Sequence, residues 1–193
     1  MLKKGSVVEN PVLGLRAVIT QTDVETDGRG YAVGWFIKPH RGLDPKHIHM
    51  LWDETYEVVA GMSHYQINGV PGVAQAGETV HIPPKTPHIN PWNAGDQELQ
   101  MRQTILFADS NPERVQTLLG AFATLHGLAR DGKVGKNGAP NLLQFAVIFR
   151  TLLVYGNYFA DMPVAAQSAL FTLLASLGRR AGYQAIYPRY LEP

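Results

Sequence analysis

Cysteine is absent from the 193 residues of this chain, which excludes a disulfide framework, a zinc ribbon, an iron–sulfur cluster and a thiol nucleophile. The chain also lacks an excess of one charge, because 17 Lys and Arg stand against 16 Asp and Glu and leave a net charge of +1. No basic run is present, so a nucleic-acid partner is not expected. No apolar run follows the two lysines near Met1, so a secretory signal is not expected and the cytoplasm is the expected compartment.

The composition is that of a globular chain. Hydrophobic residues make up 45% and charged residues 17%, with 19 Gly and 13 Pro, which excludes a disordered, collagenous or coiled-coil chain. Residues 1–109 hold 9 Lys and Arg and 12 Asp and Glu, whereas residues 110–193 hold 8 and 4. This shift in charge coincides with a change in sequence pattern, and the chain is therefore predicted to divide into 1–109 and 110–193.

The first part alternates short β-rich runs with turn sequences such as Asp27-Gly-Arg-Gly. Strands at near-regular spacing, with no helical stretch between them, predict an antiparallel sandwich or barrel. The predicted strands are Leu15 to Thr20, Tyr31 to Ile37, Thr55 to Ala60, Ser63 to Ile67, Glu78 to Ile82 and Leu99 to Phe107.

The second part predicts about three helices. After Pro112, apolar residues recur at intervals of three and four, which is the spacing of one face of a helix. Proline suits the first position of a helix, so the first helix is predicted to begin at Pro112 and to end near Gly132. A second helix is predicted over Leu142 to Ala160. A third opens at Pro163 and closes at Arg179, Arg180 and Gly182.

The stretch from Leu142 to Ala160 is apolar nearly all round, and two interpretations are open. Nineteen residues approach the roughly 20 that cross a bilayer, but Val164 to Leu177 is too short to be a partner span. The alternative, which we favour, is a buried helical pair packed on the barrel or across a homodimer interface.

Six of the seven histidines fall within residues 40–88. His47 and His49 are two residues apart, so on a strand both imidazoles point to the same face. Glu54 follows, and His88 lies in Pro83-Pro-Lys-Thr-Pro-His88. Three imidazoles and a carboxylate suit one divalent Fe, Mn, Ni, Cu or Zn ion per chain and leave coordination positions open for catalysis.

The spacing of these residues resembles a known family. His47-x-His49-x4-Glu54-x6-Gly61 is similar to the first motif of the cupin superfamily, and Gly77-x5-Pro83-x-Lys85-x2-His88 is similar to its second, with Lys85 where glycine is usual. The resemblance implies a double-stranded β-helix, a jelly-roll-like barrel, followed here by the helical extension. It implies the metal ligands His47, His49, Glu54 and His88. The alternative is a cupin that has lost its metal and keeps these residues as an internal hydrogen-bond network.

Other residues are weaker candidates. His81 and His64 are candidate proton carriers, although alternation in Val80-His-Ile82 favours an outward His81. Trp52 and Trp92 each lie within four residues of an implied ligand and are candidate pocket walls. Arg102 could bind a carboxylate, but a surface ion pair is the favoured explanation.

The function expected from this pattern is that of a metal-dependent oxygenase, isomerase or lyase acting on a small anionic or hydroxylated molecule. The alternative is a non-enzymatic sensor or binding module whose apolar helices mediate dimerisation or contact a partner or a membrane.

Overall fold

The computed structural model describes residues 1–191. Eleven strands form two antiparallel sheets. Sheet 1 has the order β1-β2-β3-β10-β5-β8, and sheet 2 has the order β11-β4-β9-β6-β7. The strands of sheet 1 are β1 (Val7–Asn10), β2 (Leu15–Gln21), β3 (Gly30–Ile37), β5 (Trp52–Ala60), β8 (Thr79–Ile82) and β10 (Leu99–Phe107). Those of sheet 2 are β4 (His47–His49), β6 (Met62–Ile67), β7 (Val70–Gln75), β9 (His88–Trp92) and β11 (Asn157–Phe159).

The predicted fold class, mainly β with a helical C-terminal extension, is confirmed. Within residues 1–191, however, hydrogen bonding does not close the sheets into the barrel that the resemblance implies. β1 and β8 are the edges of sheet 1, and β11 and β7 are the edges of sheet 2. The β part is therefore a two-sheet jelly-roll arrangement with open edges.

The extension contributes three helices, α1 (Pro112–Arg130), α2 (Leu142–Val154) and α3 (Val164–Arg180), and a short 3-10 helix at Pro188–Tyr190. The side chain of Asn111 caps α1 by accepting a hydrogen bond from the Arg114 N–H, 2.9 Å away, which satisfies one of the free amides at the helix start. Asn141 caps α2 in the same way through the Gln144 N–H, at 3.0 Å.

The predicted second helix ends earlier than expected. α2 stops at Val154, and the chain turns through Gly156, which has a φ of 82°. Only glycine adopts this conformation without strain, so the apolar stretch splits into a helix and strand β11. No helix within residues 1–191 is long and apolar enough to cross a membrane. The stretch from Leu142 to Ala160 is therefore not one helix of nineteen residues.

Helix α1 packs against sheet 1 and shares its core. Val115, Leu119 and Ala123 belong to the same buried cluster as Ile19 and Ile105 of the sheet. Burying one such aliphatic side chain contributes roughly 1.5–3 kcal/mol. The division at residue 109 stays a prediction, but residues on both sides of it form one hydrophobic cluster.

Candidate metal centre

Strands β4 and β9 bring three histidines together. His47 lies directly opposite His88 in the antiparallel ladder, and His49 follows two residues later with its side chain on the same face. One nitrogen atom from each of the three rings lies within 4.8 Å of the other two. These three residues form the histidine cluster.

Glu54 reaches this cluster from the facing sheet. Its Oε2 lies 3.2 Å from Nδ1 of His49 and 3.3 Å from Nε2 of His88. The side chain is only 1% exposed, so an ionised carboxylate here needs a compensating positive charge. The structure thus brings together the four residues that the motif resemblance implied.

The outer nitrogen atoms of two rings are held by the backbone. Nδ1 of His47 lies 2.8 Å from the Pro45 carbonyl, and Nδ1 of His88 lies 2.8 Å from the Thr86 carbonyl. A carbonyl only accepts, so each Nδ1 carries the proton and donates it. When such a ring is neutral, its Nε2 is left with a free lone pair, which is the arrangement that metal-binding histidines use.

The second oxygen of Glu54 is held by two side chains of sheet 1, and a third side chain orients one of them. Oε1 accepts hydrogen bonds from the Tyr56 hydroxyl, at 3.0 Å, and from the Gln103 amide. The Gln103 amide also donates to the Tyr56 oxygen at 2.9 Å, and its own oxygen accepts from Nε1 of Trp35 at 2.8 Å. Tyr56, Gln103 and Trp35 form the Glu54 clamp, which leaves only Oε2 free.

Three buried atoms at the centre of the site have no hydrogen-bond partner within residues 1–191. They are Nδ1 of His49, Oε2 of Glu54 and Nε2 of His88. Buried polar atoms are rarely left unpaired, because each one costs about 1–3 kcal/mol. Here all three converge on one point, and their types suit a borderline divalent metal. The residues present therefore fit a metal ion.

Electrostatics favour a cation at this point. Burial, together with the neighbouring His49 and His88, lowers the pKa of His47 to about 3. Burial alone would raise the pKa of Glu54, but the contacts with His49 and His88 hold it well below its ordinary value. Burial would likewise lower the pKa of His88, but Glu54 raises it. An ionised Glu54 thus draws positive charge to its free oxygen.

Lys85 takes the place of the glycine that is usual in the second motif. Its φ is 65°, in the left-handed region, which costs a non-glycine residue roughly 1–2 kcal/mol. Its N–H donates to the His49 carbonyl at 2.6 Å. The loop before His88 therefore keeps the glycine-type conformation and is tied to strand β4.

The two tryptophan candidates lie in different places. Trp52 is buried and stacks on His49, with ring centroids 4.1 Å apart, so it forms a wall of the site. Trp92 lies beside His64, with ring centroids 5.9 Å apart. The structure does not place Trp92 against the histidine cluster.

The other candidates also lie away from the cluster. The side chain of His81 is 55% exposed and contacts Asp53 at 2.8 Å on the outer face of sheet 1. Arg102 is exposed on that face, opposite Glu57 and Gly34, so it is not a wall of the site. His64 is not among the residues that meet at Glu54.

Sequence reasoning missed Gln103, although a signal for it was present. Leu99, Met101, Ile105 and Phe107 alternate as buried residues along β10, and Gln103 is the one polar residue on that face. Asp44 and Asn90 were also missed. Nδ2 of Asn90 donates to Asp44 at 3.2 Å, and burial raises the pKa of Asp44 to about 6.

Solved structures of similar shape include a predicted oxalate decarboxylase from Thermotoga maritima, at 14% identity and a TM-score of 0.46, covering 55% of this chain and 98% of that one. A cupin domain of an XRE-family transcriptional regulator from Enterobacter cloacae matches at 15% identity and a TM-score of 0.44, covering 50% and 99%. An RmlC-like cupin from Shewanella frigidimarina matches at 18% identity and a TM-score of 0.42, covering 54% and 86%.

The last two of these proteins are cupins, the superfamily that the motifs resemble. Identities below 20% do not transfer an activity to this chain. No protein-family model matches the sequence. No curated protein matches it either.

Proposed function

We propose that this chain is a metal-binding cupin in which His47, His49, Glu54 and His88 hold one divalent metal ion. The observation that carries this proposal is the set of unpaired buried atoms on His49, Glu54 and His88, which converge on one point. A satisfied internal network, the alternative open from the sequence, would pair these atoms in hydrogen bonds. Here Oε2 of Glu54 lies 3.2 and 3.3 Å from the two nitrogen atoms and forms a hydrogen bond with neither.

The chemistry that this site supports best is metal-dependent catalysis on a small polar molecule, of the oxygenase, isomerase or lyase type. A bound divalent ion would polarise an oxygen atom of the substrate as a Lewis acid. The chain itself supplies neutral imidazoles, fixed in orientation by the Pro45 and Thr86 carbonyls. The Glu54 clamp keeps one carboxylate oxygen out of the site, and Trp52 covers the His49 ring from the side.

Metal analysis tests this proposal. Protein purified without an affinity tag is measured by plasma emission beside the His47→Ala/His88→Ala double variant, after incubation with Fe²⁺, Mn²⁺, Ni²⁺, Cu²⁺ or Zn²⁺. We expect close to one ion per chain in the natural protein and none in the variant. An iron or copper ion would direct assays to oxygen-dependent turnover, and zinc, manganese or nickel to isomerase or lyase chemistry. A site that binds none of these ions would contradict the proposal of metal-dependent catalysis.

A second candidate function is supported by the surface of α3. Leu170, Leu173 and Leu177 are all exposed there, Leu173 to 62%, and apolar residues gathered on one surface indicate a contact with another molecule. In this candidate the chain is a ligand-binding or sensor cupin, and α3 mediates homodimerisation or partner contact. A chain that binds the metal but turns over no small hydroxylated or acidic compound would support this candidate over the enzyme.

A further inference from the structure

One side of α3 is apolar and exposed, and a different side packs on α2. The buried side carries Phe171, whose ring lies against that of Phe149 of α2. The exposed side carries a row of residues at intervals of four and three, which we call the outer row. Its members are Ala166, Leu170, Leu173, Leu177 and Arg180. A helix that is apolar on two sides needs a partner on each of them.

The outer row stays uncovered within residues 1–191. Its three leucines are between 43% and 62% exposed, and apolar residues gathered in this way mark a surface that contacts another molecule. Intervals of four and three are the spacing of the seam along which two helices pair. The row runs from Ala166 to Arg180, over about 21 Å. A helix of another chain therefore suits this surface.

The sizes of the residues in the outer row suit an antiparallel copy of α3. The row begins with a small residue, Ala166, and its last apolar residue is large, Leu177. An antiparallel copy places Leu177 against Ala166 in the two outer layers and Leu170 against Leu173 in the two central layers. One register satisfies all four layers, because Ala166 lies four residues before Leu170 and Leu177 lies four residues after Leu173. Large residues then face small ones in the outer layers, which favours close packing, and the same surface serves both copies.

Charge also favours the antiparallel direction. α3 has no acidic residue, and its cations are Arg179 and Arg180 in the last turn. In a parallel pair the arginines of both copies would lie side by side and repel one another. In the antiparallel register Arg180 lies at the start of the partner helix, near the partner's Asp161. The Asp161 side chain is 73% exposed, and Lys46 contacts its Oδ1, so Oδ2 faces solvent and suits an arginine.

We propose that α3 pairs with α3 of a second copy of this chain in the antiparallel direction, with Leu177 packed on the partner's Ala166 and Arg180 paired with the partner's Asp161. The proposal rests on the second candidate function, in which α3 mediates homodimerisation, and adds the direction and the register of the contact. It does not depend on the metal centre, because the outer row contains none of the four residues that we propose as ligands.

The absence of cysteine from the chain permits a test by disulfide trapping. Full-length chains with Ala166→Cys are co-produced with chains with Leu177→Cys, oxidised, and analysed by intact mass. A disulfide requires Cα atoms within about 7 Å. In the proposed register position 166 faces position 177, whereas two copies of position 166 lie about 16 Å apart along the helices. We expect the mixed dimer to form a disulfide and neither variant to link to itself. Val59→Cys, at an exposed apolar residue on sheet 1, is the control and should not link.

A second variant tests the charge pairing without cysteine. Arg180→Asp replaces two ion pairs per dimer with repulsive pairs, so we expect the dissociation constant of the dimer in sedimentation equilibrium to rise roughly tenfold. Lys4→Asp makes the same change of charge at an exposed residue outside α3 and should leave the constant unchanged. Equal dissociation constants in the two variants would refute the pairing of Arg180 with the partner's Asp161.

The cross-linking results separate the possible failures. Disulfides within each single variant would show a parallel pair and overturn the proposal. A dimer that sediments as such but gives no mixed disulfide would overturn the α3 register, and a monomer at every concentration would refute the second candidate function with it. Metal content is measured on the same samples. Metal bound without the mixed disulfide refutes the α3 pairing alone, and the mixed disulfide without bound metal refutes the metal centre alone.

Discussion

The side-chain amide of Gln103 donates a hydrogen bond to one oxygen of Glu54, while the other oxygen of that carboxylate faces His49 and His88. Gln103 is in turn oriented by Nε1 of Trp35. A residue on β10 therefore orients the carboxylate that faces the histidine cluster.

Replacing Gln103 with Leu removes this support, and Glu54 Oε1 keeps only the Tyr56 hydroxyl. We expect Gln103→Leu to weaken metal binding by about 10–100-fold, the usual effect of losing a group that orients a ligand. Titration with Co²⁺, followed by its visible absorption, measures the affinity. Gln100→Leu on the same strand is the control, because the Gln100 side chain donates its hydrogen bond to Glu98 and not to Glu54. Equal affinities in the two variants would show that Glu54 needs no clamp.

Metal binding should stabilise the folded chain, since the converging ligand set does not exist in the unfolded state. Co²⁺ at about 100 times its dissociation constant adds about 2.7 kcal/mol to the free energy of unfolding, which raises Tm by roughly 5–10 °C for a chain of this size. Calorimetric scans with and without Co²⁺ measure the shift. The shift should vanish in His88→Ala, and Ca²⁺, which prefers oxygen ligands, should produce none. A Co²⁺ shift that survives in His88→Ala would place the ion elsewhere.

The four residues that we propose as ligands could be identified in the sequence because their signals are local. The same-face rule for His47 and His49 needs only two positions on one strand, and the motif spacing supplied Glu54 and His88. The signals for the two ends of α3 were equally local. Pro163 precedes the first turn of the helix, and Gly182, with a φ of 87°, follows its last turn. Each of these inferences used residues close together in sequence.

Strand β11 was not predictable, because its partner β4 lies more than 100 residues away in the sequence. The apolar run from Leu142 to Ala160 predicted a longer helix, but the chain turns at Gly156, which has a positive φ, and the helix ends before it. β7 was missed for a related reason. Proline and glycine are typical of turns, so Pro71 and Gly72 predicted a turn. β7 is an edge strand of sheet 2, however, and an edge strand tolerates both residues.

His126 makes the stability of the chain depend on pH. It lies on α1 between Phe122 and Trp35, and burial lowers its pKa to about 4. An ordinary histidine in the unfolded chain has a pKa near 6.5, so between these values the unfolded state binds the proton and the folded state does not. Stability should therefore fall as the pH drops from about 6.5 to about 4, by about 3 kcal/mol from this residue.

Urea denaturation at pH 7.5 and pH 4 measures this contribution. The loss of stability between the two pH values should be smaller by about 3 kcal/mol in His126→Leu than in the natural protein. His40→Leu, at an exposed histidine paired with Asp96, is the control and should retain the full loss. An identical loss in His126→Leu would show that other groups cause the acid sensitivity.

The exposed leucines of α3 predict self-association. Leu170, Leu173 and Leu177 are spaced by three and four residues, so they form one stripe along the helix. We expect Leu173→Glu to convert a homodimer to a monomer in sedimentation velocity, because a charge would then be buried without a partner. Val59→Glu, at an equally exposed apolar residue on sheet 1, should leave the dimer intact. A natural protein that sediments as a monomer at every concentration would refute this prediction.

The strongest link between the helical extension and the metal centre is β11. β4 carries His47 and His49, but among the described residues only His47 pairs with β9, whereas all three β4 residues pair with β11. The Met50 N–H donates to the Gly156 carbonyl, and the Ala160 N–H donates to the Lys46 carbonyl. The position of both histidine side chains thus depends on a strand from the C-terminal part.

Tyr158→Pro removes the N–H in the middle of β11, opposite Ile48, and a proline there cannot donate to the ladder. We expect Co²⁺ affinity to fall at least about tenfold, the scale of one lost hydrogen bond, and the amides of Ile48 and Met50 to exchange faster with deuterium. Tyr158→Ala keeps the N–H and should bind Co²⁺ like the natural protein. If Tyr158→Pro also binds normally, β9 alone positions the histidines, and the extension is accessory to the metal centre.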